Sequence, residues 1–182
     1  MSLVPKNVFF VKGIGHHKSK LGAFEQALRN AGIEKYNLVN VSSILPPNCI
    51  EITKEEGLKQ FLPGQIIYTV LSRSESNKGN QIVSASIGVA KPSDKEQYGY
   101  LSEFHSVNTK NEEIGDFTEE LAAEMLATTL GIPFNPDLNY DEIKAVFKMG
   151  GKMVETKNIT ACAKVRKENE WACAIATAVF IV

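Results

Sequence analysis

The stretch from Trp171 to Val182 limits the possible folds more than any other. Trp171, Cys173, Ile175, Val179 and Ile181 fall on one face of an extended strand, and Ala172, Ala174, Ala176 and Ala178 on the other. Side chains alternate across a strand with a period of two. Large residues on one side and alanines on the other imply burial on both, and a close sheet–sheet contact requires a small face. Gln81 to Ala90 repeats the pattern: Val83, Ala85, Ile87 and Val89 share a face, while Ser84, Ser86 and Gly88 are all small.

The remaining periodicity fills in an architecture around these two strands. Asn7 to Val11, Gln65 to Ser72, Tyr98 to Val107 and Lys152 to Val165 also read as strands, rich in β-branched, aromatic and alternating residues. Polar loops are expected at 12–18, 73–79 and 91–97, with a charged turn at 166–170. A helix is predicted from Leu21 to Ala31, with Leu21, Phe24, Leu28 and Ala31 on one face and Gly32 as its cap. One helical turn is expected around Lys54–Lys59. A second helix is predicted from Phe117 to Leu130, opened by Thr118 and ended by Gly131, and a third from Asn135 to Lys148. Strands outnumber helices, and one helix precedes and one follows the central strand block. The fold class is therefore α+β: a four-layer αββα sandwich of mainly antiparallel sheets, in a single domain spanning 1–182.

Composition narrows the function. The 182 residues are 43% hydrophobic with a formal net charge of −1, which gives no field for a nucleic-acid or membrane-surface partner. No run approaches the ~18 apolar residues of a membrane span. Met1 to Lys6 has no secretory pattern. Cys49, Cys162 and Cys173 have no metal spacing, so reduced thiols in a cytoplasmic protein are expected rather than a Cys162–Cys173 bridge across a hairpin. Gly13-x-Gly15 lacks the third glycine of a dinucleotide fingerprint, and the glycine-glycine-lysine at 150–152 follows no phosphate-loop pattern. His16 and His17, adjacent and without a nearby carboxylate, read as solvated loop residues, and no metal site is expected.

Candidate chemistry centres on Asn37-Leu38-Val39-Asn40-Val41-Ser42-Ser43-Ile44-Leu45-Pro46-Pro47. A strand enters two serines and meets a double proline, which stops regular pairing because each proline lacks an N–H. Such a junction can hold backbone strain, and a serine there can attack the carbonyl of its upstream neighbour. On the dipeptide alone, a plain turn is the ordinary outcome. Glu103 shares a strand face with Gly99, Leu101 and His105. A desolvated carboxyl there has a raised pKa, as a general acid requires; an exposed edge glutamate is the equal alternative. Polar packing is the favoured role for His105. Glu25 sits at the border of the first helix's apolar face, either a pocket-rim carboxylate or, more simply, a solvated one.

The blocks Gly22-Ala23-Phe24-Glu25 with Ala27-Leu28, Asn30-Ala31-Gly32-Ile33, and Tyr36-Asn37-Leu38 with Val41-Ser42-Ser43-Ile44-Leu45-Pro46-Pro47 resemble the pyruvoyl-dependent arginine decarboxylase family. Ser84 to Ala90, Ser102-Glu103-Phe104 and the alanine-rich last strand fit the same family, so the resemblance covers nearly the whole chain. It implies self-cleavage between Ser42 and Ser43 into a β chain of 1–42 and an α chain of 43–182, with Ser43 becoming a covalent pyruvoyl group. It further implies (αβ)3 trimers or hexamers with sites between subunits, and conversion of arginine through a Schiff base to agmatine and CO2 in polyamine synthesis. By the same resemblance Glu103 donates the proton to the carbanion, and Asn37 helps hold substrate or the scissile carbonyl. The family helix often carries aspartate where this chain has Glu25; that carboxylate reads the guanidinium. Glutamate keeps the bidentate pairing but moves the charge outward by about 1 Å. Two alternatives stay open: an uncleaved binding or structural protein of this fold, and a pyruvoyl decarboxylase for lysine or ornithine.

Overall fold

A computed structural model describes residues 3–108, 111–132 and 153–182. Its strands are β1 (Asn7–His17), β2 (Asn37–Asn40), β3 (Ile44–Leu45), β4 (Ile50–Glu51), β5 (Ile66–Ser76), β6 (Ile82–Pro92), β7 (Gly99–Val107), β8 (Met153–Lys164) and β9 (Trp171–Ile181). Its helices are α1 (Lys20–Ala31), α2 (Lys54–Leu58) and α3 (Asn111–Thr129). The helix expected at 135–148 lies outside the described residues.

The strands form two sheets, in the orders β2-β5-β9-β1-β4 and β3-β7-β6-β8. Pairing is antiparallel except for β1 with β4 and β2 with β5. Strand β9 occupies the middle of the first sheet, in register with β1 from Asn7↔Ile181 to His17↔Trp171 and with β5 along its other edge. Its alanines are buried between the sheets together with Val83, Ala85, Ile87 and Val89. Its larger side chains, Cys173, Ile175, Val179 and Ile181, pack under α1. Helix α3 covers the outer face of the second sheet, so the order of layers is helix, sheet, sheet, helix. The four-layer α+β sandwich is as the alternation requires.

Glycines explain where the elements differ from the sequence expectation. Strand β1 does not stop at Val11 but continues through His17, with Val11, Gly13 and Gly15 buried in turn. A methyl group at Gly13 would overlap the Ala27 carbonyl, and one at Gly15 the Ala23 carbonyl. These glycines allow a helix backbone to lie on a strand; they do not form a loop. The apolar face of α1 is accordingly Ala23, Ala27 and Ala31, flanked by Phe24 and Leu28, while Leu21 is 74% exposed. Ser19 caps α1, its hydroxyl accepting from the Gly22 N–H at 3.1 Å, and Gly32 closes it in the left-handed region at φ 83°.

Strand β5 likewise runs on to Ser76, because Ser72 and Ser74 donate to the Phe104 and Ser106 carbonyls of β7 at 2.6 and 2.7 Å. Helix α3 starts at Asn111, six residues before the expected start. Thr118 is buried inside it rather than capping it, and donates back to the Ile114 carbonyl at 2.6 Å.

A charge cluster ties the two sheets at one end. Lys91 reaches Glu51 at 3.0 Å and Glu155 at 2.9 Å, and Lys157 also pairs with Glu51. Burial acts to raise the Glu51 pKa, but the hydrogen bonds from Lys157 and Lys91 outweigh it and hold the carboxyl below its ordinary range.

Candidate active site at the sheet crossing

Residues 41–43 carry the chain from the edge of one sheet to the edge of the other. The Val41 N–H donates to the Thr69 carbonyl of β5 at 2.9 Å, which ends the first sheet's hold. The Leu101 N–H of β7 donates to the Ser43 carbonyl at 2.8 Å, which begins the second's. Between these pins lies the Ser42–Ser43 peptide bond, with Ser42 exposed and Ser43 half-buried. The Ser42 carbonyl accepts from the Ile44 N–H at 3.0 Å. The double proline follows at once, so β3 is only Ile44–Leu45, with Leu45 anchored in the inter-sheet core. An apolar cavity of about 470 Å³ lies against Ser42, lined by Val41, Ile44, Tyr68, Tyr98 and Phe180 among others.

Glu103 lies two residues beyond Leu101 on β7, about 7 Å of strand from the Ser43 carbonyl's partner. By alternation it shares the face of Leu101, which is buried between the sheets. Past Leu101 that face opens to solvent. Partial desolvation there pushes the Glu103 carboxyl above its ordinary value, and the charge of His105 opposes the rise. Both sequence alternatives are present in part: Glu103 is an exposed residue, and its carboxyl is nonetheless raised by the half-open rim around it.

Two further candidates lie elsewhere in this chain. Asn37 starts β2, five residues or about 16 Å of strand before Ser42. Its side chain donates to the Gly64 carbonyl at 2.7 Å. Glu25 projects from α1 on the outer side of the first sheet and pairs with Arg29 at 2.5 Å. A hydrogen bond ties Ser43 to β7, the strand that carries Glu103 two residues further on, whereas Asn37 starts β2 and Glu25 lies on α1.

The histidines and cysteines play other parts. His16 and His17 end β1: the first pairs through Nε2 with the Lys164 carbonyl at 2.9 Å, the second through Nδ1 with the Ser19 hydroxyl at 2.9 Å. Among the described residues no group of His, Cys, Asp and Glu is arranged to hold a metal. None of the three cysteines is in a disulfide. Cys162 and Cys173 are not hairpin neighbours. They lie on strands of different sheets, Cys173 facing α1 and Cys162 contacting Ser84 at 2.9 Å. Among the described residues no helix is long and apolar enough to cross a membrane.

The groups missed from the sequence are backbone donors, the N–H groups of Leu101 and Ile44, which have no residue signature. The Glu25–Arg29 pair was readable as a glutamate four residues before an arginine on one helix.

Two facing sheets joined edge to edge through paired serines define an α+β sandwich whose candidate centre is a stretch of its own backbone. The chain belongs to the pyruvoyl-dependent arginine decarboxylase family, whose description matches residues 7–182. A Chlorobaculum tepidum protein named "Probable pyruvoyl-dependent arginine decarboxylase" is 51% identical over 181 residues, covering 100% of this chain and 99% of that one. The Methanococcoides burtonii "Pyruvoyl-dependent arginine decarboxylase" is 45% identical over 99% of this chain and 100% of its own. The protein of the same name from Nitrosopumilus maritimus is 43% identical over the full length of both. A covalently bound pyruvoyl group goes with that family.

Proposed function

We propose that this chain cuts itself between Ser42 and Ser43 and then decarboxylates arginine to agmatine, a step that feeds polyamine synthesis in the cytoplasm. The observation that carries the reading is the pinned crossing: a serine hydroxyl follows a peptide carbonyl held by hydrogen bonds on both flanks. Oγ of Ser43 adds to the Ser42 carbonyl carbon, the C–N bond breaks, and the hydroxyl proton passes to the departing nitrogen, leaving an ester. Loss of the Ser43 α-proton with cleavage of the Cβ–O bond releases residues 1–42 as a carboxylate and leaves dehydroalanine. Water then replaces the nitrogen, ammonia departs, and residue 43 becomes a pyruvoyl group.

Ser43 supplies every carbon of that group, so the residues present fit it. When formed, its ketone takes up the α-amine of the substrate and draws the electrons freed by departing CO2. Glu103, raised by desolvation, gives a proton to the carbon that loses CO2. Asn37 and Glu25 serve the junction of a neighbouring copy. This reading is supported by their separation from Ser43 within one chain and by the exposed apolar Val39, Val41, Ile44 and Ile66 around the crossing. A trimer with sites between subunits satisfies both. Glu25 then reads the substrate's guanidinium as a bidentate carboxylate.

Denaturing electrophoresis with intact mass, combined with a decarboxylation assay on arginine, lysine, ornithine and aspartate, tests the reading. Two fragments broken after residue 42, CO2 release from arginine, and loss of both in Ser43→Ala are expected. A single intact chain in assembled material refutes it.

A further inference from the structure

We infer that Ser72 is a positioning residue for decarboxylation: its hydroxyl, reaching across from the first sheet, pins the backbone beside Glu103 and sets where that carboxyl delivers its proton. The inference rests on the reading of Glu103 as proton donor and adds the group that aims it.

Glu103 sits where β7 loses a neighbour. Strand β3 covers only Tyr100 and Gly99, and the last bond on that side runs from the Leu101 N–H to the Ser43 carbonyl. Past this point, among the described residues, β7 has a strand partner on one side alone: β6, which stays in register to Val107. A stretch with a single ladder holds its backbone less firmly than one paired on both sides. The Glu103 side chain is exposed, so the reach of its carboxyl is set by the backbone beneath it.

Two hydrogen bonds make up for the missing strand, one on each face. Behind β7, the Ser102 hydroxyl donates to the Thr118 carbonyl of α3. Gly88 leaves room for this approach, since a methyl group there would overlap both oxygens. The Phe104 ring also packs edge-on against Phe117 of the same helix, with centroids 4.7 Å apart. In front, the Ser72 hydroxyl donates to the Phe104 carbonyl at 2.6 Å. Residues 102 and 104 are thus anchored in opposite directions, and Glu103 is the residue between them.

The identity of residue 72 fits this task. It is 2% exposed and follows Tyr68 and Val70 along the inner face of β5, opposite Ala176 of β9. Alanine fills that neighbouring position, so packing alone calls for no hydroxyl here. A buried hydroxyl is costly unless bonded, and this one finds its acceptor on the other sheet. Ser74 makes the matching bond to the Ser106 carbonyl at 2.7 Å, on the far side of His105, and provides a control. A proton donor must lie within hydrogen-bond reach of its acceptor, and a displacement of about 1 Å can cost about 100-fold in rate.

The test is Ser72→Ala, assayed as CO2 release from arginine on cleaved protein. Both fragments should form at the wild-type rate, kcat should fall about tenfold, and KM should stay within about twofold. Ser74→Ala should keep kcat within about twofold. The deciding measurement places Ser72→Ala in the Glu103→Gln background, where no acid remains to be aimed. There the further loss should be under about twofold, whereas a merely structural serine costs the same in both backgrounds. Wild-type kcat in Ser72→Ala, equal losses in the two backgrounds, or a Ser74→Ala chain as slow as Ser72→Ala overturns the inference. Ser72→Cys keeps the size but offers only a weak donor, and decides the matter if the alanine chain does not assemble. Its kcat should fall several-fold, and a wild-type value overturns the inference. Normal turnover in Glu103→Gln alone refutes the proton-donor reading itself, a result distinct from all of these.

Discussion

Replacing Glu103 by glutamine removes an acidic proton and almost no volume. The proposed role makes the consequence asymmetric. The proposed cleavage draws on Ser43 and the hydrogen-bonded backbone at the crossing rather than on Glu103, so both fragments should form as in the wild type. Turnover of arginine should fall by about 10²- to 10⁴-fold, the range of a lost general acid, equivalent to about 2.7–5.4 kcal/mol of barrier. The pH profile gives the sign. A donor must be protonated, so wild-type turnover should decline as pH rises through the Glu103 pKa. That pKa is displaced upward by desolvation, so the decline should begin above the ordinary carboxylate range. The glutamine variant should lose this limb. His105 pulls the same carboxyl down, so His105→Gln should move the limb to higher pH. The assay is CO2 release against pH on fully cleaved protein. Normal turnover in the glutamine variant, or an unaltered basic limb, would remove Glu103 from the proton-donor role.

Glu25→Ala should raise the KM for arginine more than it changes the cleavage rate; an equal KM by steady-state kinetics would argue against a guanidinium contact. Leu101→Ala empties a fully buried position between the sheets, at a cost of about 2–5 kcal/mol. Thermal melting should show a drop on the order of 5–15 °C, and a shift under 2 °C would contradict the assigned core. Lys91→Met tests the inter-sheet charge cluster. The Glu51 carboxyl is depressed in the fold, so its stabilisation is present above its ordinary value of 4.5 and is lost as pH falls through the folded value. The variant should therefore show a shallower acid loss of Tm, and an identical slope would show that Lys91 does not hold Glu51.

Where both faces of a strand are buried, its amino acids announce it. The alanines of β9 and the apolar face of β6 gave the two-sheet core, and the large face of β9 gave the helix above it. Strand glycines misled because glycine signals both a loop and a close approach, and only the presence of α1 over Gly13 and Gly15 separates the two. The polar residues before Phe117 hid the start of α3, and buried serines hid the end of β5, because their partners are carbonyls on β7. At the candidate site, Ser42, Ser43 and Glu103 were visible as residue types. The link from the serines to the strand of Glu103 runs through a crossing between sheets and a backbone hydrogen bond, which no side chain encodes. Glu25 was legible as a carboxylate at the border of a helix face, its guanidinium role and the choice of Asn37 only by resemblance; Asn37 lies on β2 and Glu25 on α1.

The central position of β9 has a consequence for timing. During translation β1 leaves the ribosome long before the strand that lies between it and β5, so the first sheet has no middle until residues 171–181 emerge. Two unmatched edges must wait, open to wrong partners, and a nascent chain stalled before this point cannot assemble the sheet. Once β9 is seated, it grips β1 along eleven residues. A polypeptide later severed after residue 42 would keep its small N-terminal piece by that grip, with no covalent link required.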